Sequence, residues 1–459
     1  MENRGSGRSS SYQALSDEPP SAKRSRPSGL LTLEVPVPSV FPTQRRRTQP
    51  VAARFKSLPS RINSALRPDY FRAIQEWTAR LLDVQRPIRV LEAVRWRDDV
   101  QFDFFTRHCR ELPRIGRDDY RRQTSDFDIR QKQNQLRSLE RDILGRLGGE
   151  NPASRLLLRR CRSNRDALRL IAARGTAEFA VASREIYGSS LENSTGLVRL
   201  IEFFEKALPA PESECVSAFG AAQELTRRLG TYFVDVPIDV RIAEHLASDA
   251  CAGSTYLKLR RDATFSKDDI RLLEVHEGWA HLGTAFNGSR QPLFALLGKA
   301  SPGTTRTQEG LAVLTELLTG ACHSQRRRRL ARRLRAVAIA EEGADFLQVY
   351  RYLLECGCNE IDSYRQAARV FRGSLPTGVG PFTKDLSYGL GLISLVDRLR
   401  ALPENDRTTI PLLFSGKTSE EDLPDLAELH EAGVLIPGEF IPAAFRDGAV
   451  LRDGLRELG

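Results

Sequence analysis

The apolar residues of this chain recur mainly with a helical period, and this spacing restricts the possible fold more than any other feature. Between residues 61 and 190, apolar side chains return every three or four positions, as in the segment from Tyr70 to Leu82. Further helices are predicted over 136–147, from Asn151 onward, and over 196–206. The sequence therefore predicts a chain that is mainly α-helical.

Two short stretches depart from this period and are predicted to be strands. From Tyr232 to Val240, apolar residues alternate with other residues, and Pro237 within the run is typical of an edge strand or a bulge. A second strand is predicted at Thr255–Leu259, and everything beyond it is predicted to be helix and loop. The predicted fold class is α+β, mainly α-helical, with a small strand pair or sheet.

Three regions are predicted along the chain. Residues 1–60 are rich in Pro and Ser, contain the cluster 45–47 of three arginines, and lack a hydrophobic period, which predicts a disordered basic tail. The alternative for this tail is a docking arm for an anionic partner. Residues 61–205 are predicted to form a helical N-terminal region, and residues 206–459 carry the chemical motifs described below.

The net charge of +10 is a weak argument for a nucleic-acid partner. Residues 1–60 alone supply +6 of it, with ten Lys or Arg against four Asp or Glu. The arginine-rich segment 326–335 lacks the interleaved aromatic residues of a nucleic-acid surface, so we interpret it as a solvated helical face. We therefore expect no nucleic-acid partner.

The sequence also indicates the compartment. No stretch approaches the roughly 18 apolar residues of a membrane helix, and the N-terminus lacks the apolar segment of a secretory signal. The seven cysteines are scattered and odd in number, which favours reduced thiols. We expect a cytoplasmic protein without a membrane partner.

The strongest chemical signal is the string HEGWAH at residues 276–281, which places His276 and His281 five residues apart. A capping box formed by Ser266 and Asp269 predicts that a helix begins upstream, so the string lies within this helix. Zinc hydrolases commonly place a metal-binding helix of this kind beside an edge strand on which an extended peptide can pair. The pattern predicts a metal site.

The five-residue spacing restricts the helix itself. In a regular α-helix, residues i and i+5 point about 140° apart, so His276 and His281 could not bind one ion together. A single-turn π-bulge inserts one residue and brings the rings together, and Gly278 or Gly283 could ease the distortion. The alternative is an ordinary i,i+4 surface pair between Glu277 and His281.

A third metal ligand is expected from the following helix. Glu309 lies in the first turn of this predicted helix, across the loop 291–305 from the histidines. A catalytic zinc site needs three protein ligands and an open fourth position, and this arrangement would deliver two imidazoles and one carboxylate. Glu316, two turns further on, is either a carboxylate behind the ligands or a surface acid, and we favour the former.

Two later segments, 370–373 and 381–388, contain residue types that bind or polarise substrates. Arg372 can hold a carboxylate through two hydrogen bonds, and Lys384 can hold one as a point charge. Tyr388 can donate a hydrogen bond to a developing oxyanion. The alternative for all three residues is ordinary helix capping and packing.

Long strings in the sequence resemble the bacterial proteins called flavohemoglobin expression-modulating QEGLA motif proteins. These strings are NPASRLLLRRCRSNRDALRLIAARGTAEFAVASREIYGSS, LLEVHEGWAHLGTAFNG, QPLFALLGKASPGTTRTQEGLAVLTELLTG and RVFRGSLPTGVGPFTKDLSYGLG. The likeness covers about residues 65–450 and leaves the basic tail outside it. That family is in turn similar to the eukaryotic microtubule-associated tyrosine carboxypeptidases, which share an H-E-x-x-x-H motif and a later E-G-L-A segment.

The resemblance implies roles for individual residues. Carried over from the eukaryotic enzymes, His276, His281 and Glu309 would bind Zn²⁺, and Glu277 would serve as the catalytic base. It also implies a zincin-like metallopeptidase core, with the predicted strands beside the metal-binding helix. It does not imply the tubulin substrate.

Together these observations favour a zinc metallopeptidase, specifically a carboxypeptidase that removes C-terminal residues from peptide or protein tails. Tyr388 would help the metal to polarise the scissile carbonyl, and Arg372 or Lys384 would receive the terminal carboxylate. The alternative is a non-catalytic regulatory protein that keeps a metal site and acts through protein contacts. A structural site would be closed by a fourth protein ligand, whereas a catalytic site would stay open.

Overall fold

A computed structural model describes residues 68–123, 126–208, 214–244, 246, 248–403 and 406–458. The predicted tail over residues 1–60 lies outside these residues, and the predicted boundary between residues 205 and 206 likewise stays a prediction. Within the described part of the chain, the fold is mainly helical with two small sheets, as the sequence predicted.

The described residues form twenty α-helices. These are α1 (Pro68–Gln85), α2 (Val90–Ala93), α3 (Asp98–Thr106), α4 (Arg117–Arg122), α5 (Ile129–Leu147), α6 (Pro152–Ala172), α7 (Ala177–Tyr187), α8 (Ser194–Glu205), α9 (Ala218–Tyr232), α10 (Lys267–Leu273), α11 (Gly283–Ser289), α12 (Thr305–Leu318), α13 (Ser324–Glu341), α14 (Phe346–Glu355), α15 (Glu360–Phe371), α16 (Leu386–Arg400), α17 (Thr409–Leu413), α18 (Leu423–Glu431), α19 (Ala443–Arg446) and α20 (Gly448–Glu457). A π-helix, Glu274–Leu282, joins α10 to α11 without a break. The helices predicted from apolar spacing near the N-terminus are confirmed as α1, α5, α6 and α8.

Five strands form two separate sheets. They are β1 (Cys215–Ser217), β2 (Asp239–Ala243), β3 (Ala250–Ala252), β4 (Tyr256–Arg260) and β5 (Thr264–Ser266). β1 pairs with β5 in an antiparallel ribbon, while β4 lies between β2 and β3 in the second sheet. β2 runs parallel to β4 in the register Asp239↔Tyr256, and β3 runs antiparallel in the register Ala250↔Leu259.

The strand predictions are confirmed only in part. The strand predicted at Thr255–Leu259 corresponds to β4. The strand predicted from Tyr232 is wrong, because α9 continues to Tyr232 and β2 begins only at Asp239. Leu225 and Leu229 of α9 pack into the core, and this burial stabilises the helix more than the short alternating pattern after it favours a strand. β1 and β3 were not predicted, and β5 shows that the prediction of only helix and loop after Leu259 is wrong.

Two hydrophobic clusters hold the elements around the site. The larger cluster joins helices from α1 to α20, and its members include Trp77, Phe104 and Phe346. A second cluster packs α9 and β4 against the π-helix and α11 through Leu229, Leu257 and Leu282. The π-helix is therefore held in place by buried apolar contacts.

The described helices are too short or too polar to be membrane spans. None of them combines sufficient length with sufficient apolar character to cross a bilayer.

Candidate metal centre

The π-helix places both histidines of the 276–281 string on one side. Its hydrogen bonds close between residues i and i+5, so residues five apart in sequence come to lie over one another. The ring centroids of His276 and His281 are 4.7 Å apart, with the ring planes at 85°. The predicted departure from regular α-helical bonding is confirmed. The predicted capping box between Ser266 and Asp269 is also confirmed, at the start of α10.

Glu309 completes a group of three donors that could hold a metal ion. The donor atoms of His276, His281 and Glu309 all lie within 4.8 Å of one another. Glu309 Oε2 lies 3.5 Å from His276 Nε2 and 3.6 Å from His281 Nε2. Glu309 lies in the second turn of α12 rather than the first turn predicted, because the helix begins at Thr305.

The spacing of these atoms fits a metal ion. Two donors at about 2.0–2.1 Å from a tetrahedral ion lie roughly 3.3–3.4 Å from each other, close to the distances observed. Glu309 Oε2 is buried and has no hydrogen-bond partner within the described part of the chain. Such an atom is costly unless something else satisfies it, and a cation between the three donors would do so.

A buried ion pair lies behind His276. Glu316 Oε1 is 2.6 Å from His276 Nδ1, and the Arg326 guanidinium donates to both Glu316 oxygens at 2.8 and 3.0 Å. With a cation at Nε2, His276 would donate its Nδ1 proton to Glu316, the arrangement that orients a metal-binding histidine. Glu316 is 0% exposed, so it lies behind the donors and is not a surface acid.

The pKa values reflect this concentration of charge. Burial lowers the pKa of His276, but the neighbouring carboxylates of Glu309 and Glu316 outweigh burial and raise it to about 10. Burial raises the pKa of Glu309, but the Lys384 ammonium and the two imidazoles hold it well below its usual range. The Glu309 carboxylate is thus ionised, and a positive charge beside it is favoured.

Glu277 lies beside the donors and is held by the sheet. Its Oε2 accepts a hydrogen bond of 2.8 Å from the backbone N–H of Ala252, in β3. β3 is an edge strand, so this N–H is free of the sheet ladder and points towards the π-helix. The surface pair between Glu277 and His281, the alternative prediction, is not what positions this carboxylate.

The three other predicted residues lie around the same cavity, which has a volume of about 1030 Å³. Lys384 donates a 3.0 Å hydrogen bond to Glu309 Oε1, and the Tyr388 ring centroid is 6.2 Å from that of His276. Arg372 is 6% exposed and its guanidinium lies over the Phe382 ring at 5.4 Å. All the predicted site residues therefore converge on one cavity.

The cavity is strongly cationic. Its lining includes Arg326, Arg329, Arg333, Arg369, Arg372, Lys384 and Lys417. The prediction that the arginines of α13 form a solvated face is therefore wrong for three of them. Arg326 is buried in its ion pair with Glu316, and Arg329 and Arg333 line the cavity.

The sequence did not lead us to assign the three α13 arginines or Lys417 to the cavity, although the spacing of the arginines contained a signal. Arg326, Arg329 and Arg333 recur at i, i+3 and i+7, which places them on one side of α13. In an arginine-rich chain that spacing does not stand out. The sequence around Lys417 contains no such signal. In the structure, Lys417 Nζ is 3.5 Å from His281 Nδ1.

Comparison with known proteins gives one family. The family model described as "Microtubule-associated tyrosine carboxypeptidase" matches residues 102–457, which include every residue of the site. A search of the curated proteins finds no match to the chain.

Proposed function

The chain belongs to the microtubule-associated tyrosine carboxypeptidase family, and on that premise we propose that it is a zinc-dependent metallopeptidase with a zincin-like core. Its reaction would be the removal of C-terminal residues from peptide or protein tails in the cytoplasm. The observation that carries this proposal is the convergence of His276 Nε2 and His281 Nε2 on the unsatisfied Glu309 Oε2.

The donor set supports zinc and an open site. Two imidazoles and one carboxylate form a ligand set that catalytic zinc sites use, with the fourth position left for water or substrate. Zn²⁺ in this position would supply a Lewis acid that acidifies a water molecule and polarises a carbonyl. The donor group contains three residues in the described part of the chain and lines a large cavity. This favours catalysis over the structural alternative.

We assign Glu277 as the general base. It would accept a proton from the attacking water and later donate it to the leaving amine. The hydrogen bond from Ala252 fixes Oε2, so Oε1 is the atom assigned to the proton. The same bond orients the carboxylate without a metal contact, which matches a residue that handles protons rather than one that binds the ion.

The remaining assignments concern the substrate. Tyr388, half-buried beside His276, would donate its hydroxyl proton in a hydrogen bond to the scissile carbonyl oxygen. Arg372 would bind the terminal carboxylate, because it lines the cavity and forms no ion pair among the described residues. Lys384 holds Glu309 in place through one ammonium hydrogen, and we assign its remaining hydrogens to the substrate carboxylate.

A peptide library tests the proposal. Zinc-loaded protein is incubated with free-acid peptides, and the products are read by mass spectrometry, with Glu277→Gln as the matched inactive control. We expect products shortened from the C-terminus, produced by the wild type and not by the variant. Cleavage at internal bonds would contradict the carboxypeptidase mode. A zinc-loaded wild type that cleaves no peptide would instead favour the regulatory alternative.

A further inference from the structure

Lys417 places a buried amine beside a metal donor, and no acid balances its charge. It is 7% exposed, and it lines the cavity that contains the donors, with its Nζ 3.5 Å from His281 Nδ1. It forms no ion pair with any residue in the described part of the chain. Because an unpaired charge is costly to bury, a fold that keeps one here is suited to a ligand that carries negative charge.

The backbone around Lys417 is held more firmly than a connecting loop requires. Its peptide N–H donates to the Leu297 carbonyl at 2.6 Å, and its own carbonyl accepts from the buried guanidinium of Arg160 in α6. The next carbonyl, that of Thr418, accepts a 3.1 Å hydrogen bond from Gln308 Nε2 in α12. Side chains of two helices thus fix the place from which the lysine side chain enters the cavity.

The Gln308 contact also ties Lys417 to the metal donors. Gln308 directly precedes Glu309 in α12, so one helical turn both presents a donor and holds the loop that carries the lysine. Gln308 is 4% exposed, and its Oε1 accepts a 3.1 Å hydrogen bond from the hydroxyl of Thr284, three residues after His281. The distance between Lys417 and the two imidazoles is therefore set by rigid elements.

The side chain of Lys417 has one hydrogen-bond partner among the described residues, and metal binding would remove it. His281 Nε2 faces Glu309 Oε2 at 3.6 Å, so a metal-bound His281 would carry its proton on Nδ1. An Nδ1–H group and an ammonium group are both donors and cannot bond to each other. The ammonium hydrogens would then be available to an oxygen atom of a bound substrate.

We infer that Lys417 is a further catalytic residue, which donates a hydrogen bond to the scissile carbonyl oxygen as negative charge develops on it. The inference rests on the proposed peptidase function. Tyr388 lies beside His276 and Lys417 lies beside His281, so one donor is present near each imidazole. Donors that are already in place where charge develops usually contribute more to catalysis than any other single effect.

The step balances without transfer of the Lys417 proton. The water oxygen bonds to the carbonyl carbon, the π electrons of the C=O bond move to the carbonyl oxygen, and Glu277 accepts the proton of the water. Lys417 stabilises the negative oxygen through a charge-assisted hydrogen bond. When the carbonyl forms again, the C–N bond breaks and the amine leaves with the proton from Glu277.

The position of Lys417 favours the reacting oxygen over the terminal carboxylate of the substrate. That carboxylate lies beyond the scissile bond, on the leaving residue, and it is assigned to Arg372. Lys417 instead contacts a donor of the proposed metal. A catalytic role at the scissile carbonyl affects free-acid and amidated peptides equally, whereas a role at the terminal carboxylate affects only the free acid.

Lys417→Met tests the inference, because methionine is also a long, unbranched side chain but carries no charge. On a free-acid peptide we expect kcat to fall by about a hundred- to a thousandfold with little change in KM, as when one oxyanion donor is removed. The ratio of kcat/KM between the free-acid and amidated peptides should equal that of the wild type. Lys417→Arg keeps a positive charge and should recover part of kcat.

Zinc affinity provides a readout that does not depend on catalysis. An ammonium group beside a ligating imidazole repels a bound cation, so Lys417→Met should bind zinc at least as tightly as the wild type in competition with a chelator. Loss of a residue that only supports the fold would weaken zinc binding. Lys267→Met is the matched control. It removes an exposed lysine of α10 that does not line the cavity, and it should leave kinetics and affinity unchanged.

Three results would overturn the inference while the carboxypeptidase function still holds. The first is an unchanged kcat in Lys417→Met. The second is a variant that no longer distinguishes free-acid from amidated peptides, which would place Lys417 at the terminal carboxylate. The third is weaker zinc binding, which would show that Lys417 supports His281 rather than the substrate. A wild type that cleaves no peptide would instead remove the proposed function and this inference together.

Discussion

Gly310 of α12 approaches Gly391 of α16 so closely that a Cβ atom on Gly310 would lie 2.3 Å from the Gly391 carbonyl carbon. Both glycines are helical, so close packing rather than an unusual backbone conformation requires them. Glu309 directly precedes Gly310 in α12, and Tyr388 lies one turn before Gly391 in α16. The contact therefore sets the distance between a metal donor and a residue assigned to the substrate.

Gly310→Ala should separate the two helices and disturb the metal donors. Because the added methyl group meets backbone atoms that cannot rotate away, we expect a loss of about 1–3 kcal/mol in the free energy of unfolding, with weaker zinc binding. Chemical denaturation and zinc titration measure the two effects. Gly283→Ala is the matched control, since its Cβ would meet Phe440 at an ordinary 3.6 Å, and it should be neutral or stabilising.

Substitutions of the proposed metal donors and of the proposed general base should have different effects on zinc content. His276→Ala, His281→Ala and Glu309→Gln should each lose most of the roughly one zinc per chain, as expected for direct ligands. Glu277→Gln should keep the metal and lose activity, because this carboxylate is bonded to Ala252 and not to the donors. Elemental analysis of the purified variants measures the metal. Zinc loss in Glu277→Gln with zinc kept in Glu309→Gln would reverse the two assignments.

Glu316 should affect zinc affinity without contacting the metal. Glu316→Gln weakens the acceptor for His276 Nδ1 and leaves Arg326 buried without its counter-charge. We expect zinc affinity to fall by about ten- to a hundredfold, measured by competition with a chelator. Glu342→Gln changes an exposed glutamate at the end of α13 and should leave the affinity unchanged. A Glu316→Gln protein with normal affinity would contradict the positioning role.

The grouping of His276, His281 and Glu309 could be predicted from sequence because the two histidines lie in one short string. The i, i+5 spacing of His276 and His281 already required a helix that departs from regular bonding, and a π-helix is present there. The capping box at Ser266 and Asp269 fixed where this helix begins. Glu309 was predicted because a catalytic zinc site needs a third ligand. The helical turn in which Glu309 lies was predicted wrongly, because it depends on where α12 begins.

The cavity wall could not be predicted because it depends on long-range packing. Whether Arg333 faces solvent or a cavity is decided by how α13 packs against α15 and α16, which helical periodicity does not record. The strand predicted from Tyr232 failed for a similar reason, since burial of Leu229 extends α9 through that residue. Gly278 illustrates the same limit. Gly278 or Gly283 was expected to ease a backbone distortion, and that stays a prediction, but the sequence did not indicate that the missing side chain of Gly278 makes room for Leu229.

The basic tail should contribute little to stability. Residues 1–60 lack a hydrophobic period and are rich in Pro, Ser and Arg, so they have few apolar groups to bury. Deletion of these residues should leave the melting temperature within about one or two degrees of the full chain. Differential scanning calorimetry of both proteins measures this. A large decrease would show that the tail packs on the folded chain.

The terminal carboxylate of the substrate should be required for cleavage. Arg372 is buried, lines the cavity, and has no ion-pair partner among the described residues, so a peptide carboxylate would supply the missing counter-charge. One such charge-assisted bond is worth about 1.5–3 kcal/mol, or roughly ten- to a hundredfold in affinity. C-terminal amidation of a good peptide should therefore reduce kcat/KM of the wild type by a similar factor.

Arg372→Ala should reproduce that loss on the free-acid peptide. The variant should no longer distinguish the free-acid peptide from the amidated one, because the group that senses the difference is gone. Its zinc content should match the wild type, since Arg372 is not among the metal donors. Paired kinetics on both peptides, with zinc measured in parallel, make the comparison. If the wild type cleaves free-acid and amidated peptides equally well, the enzyme does not hold a chain terminus, and the zinc site would have to serve an endopeptidase or an aminopeptidase instead.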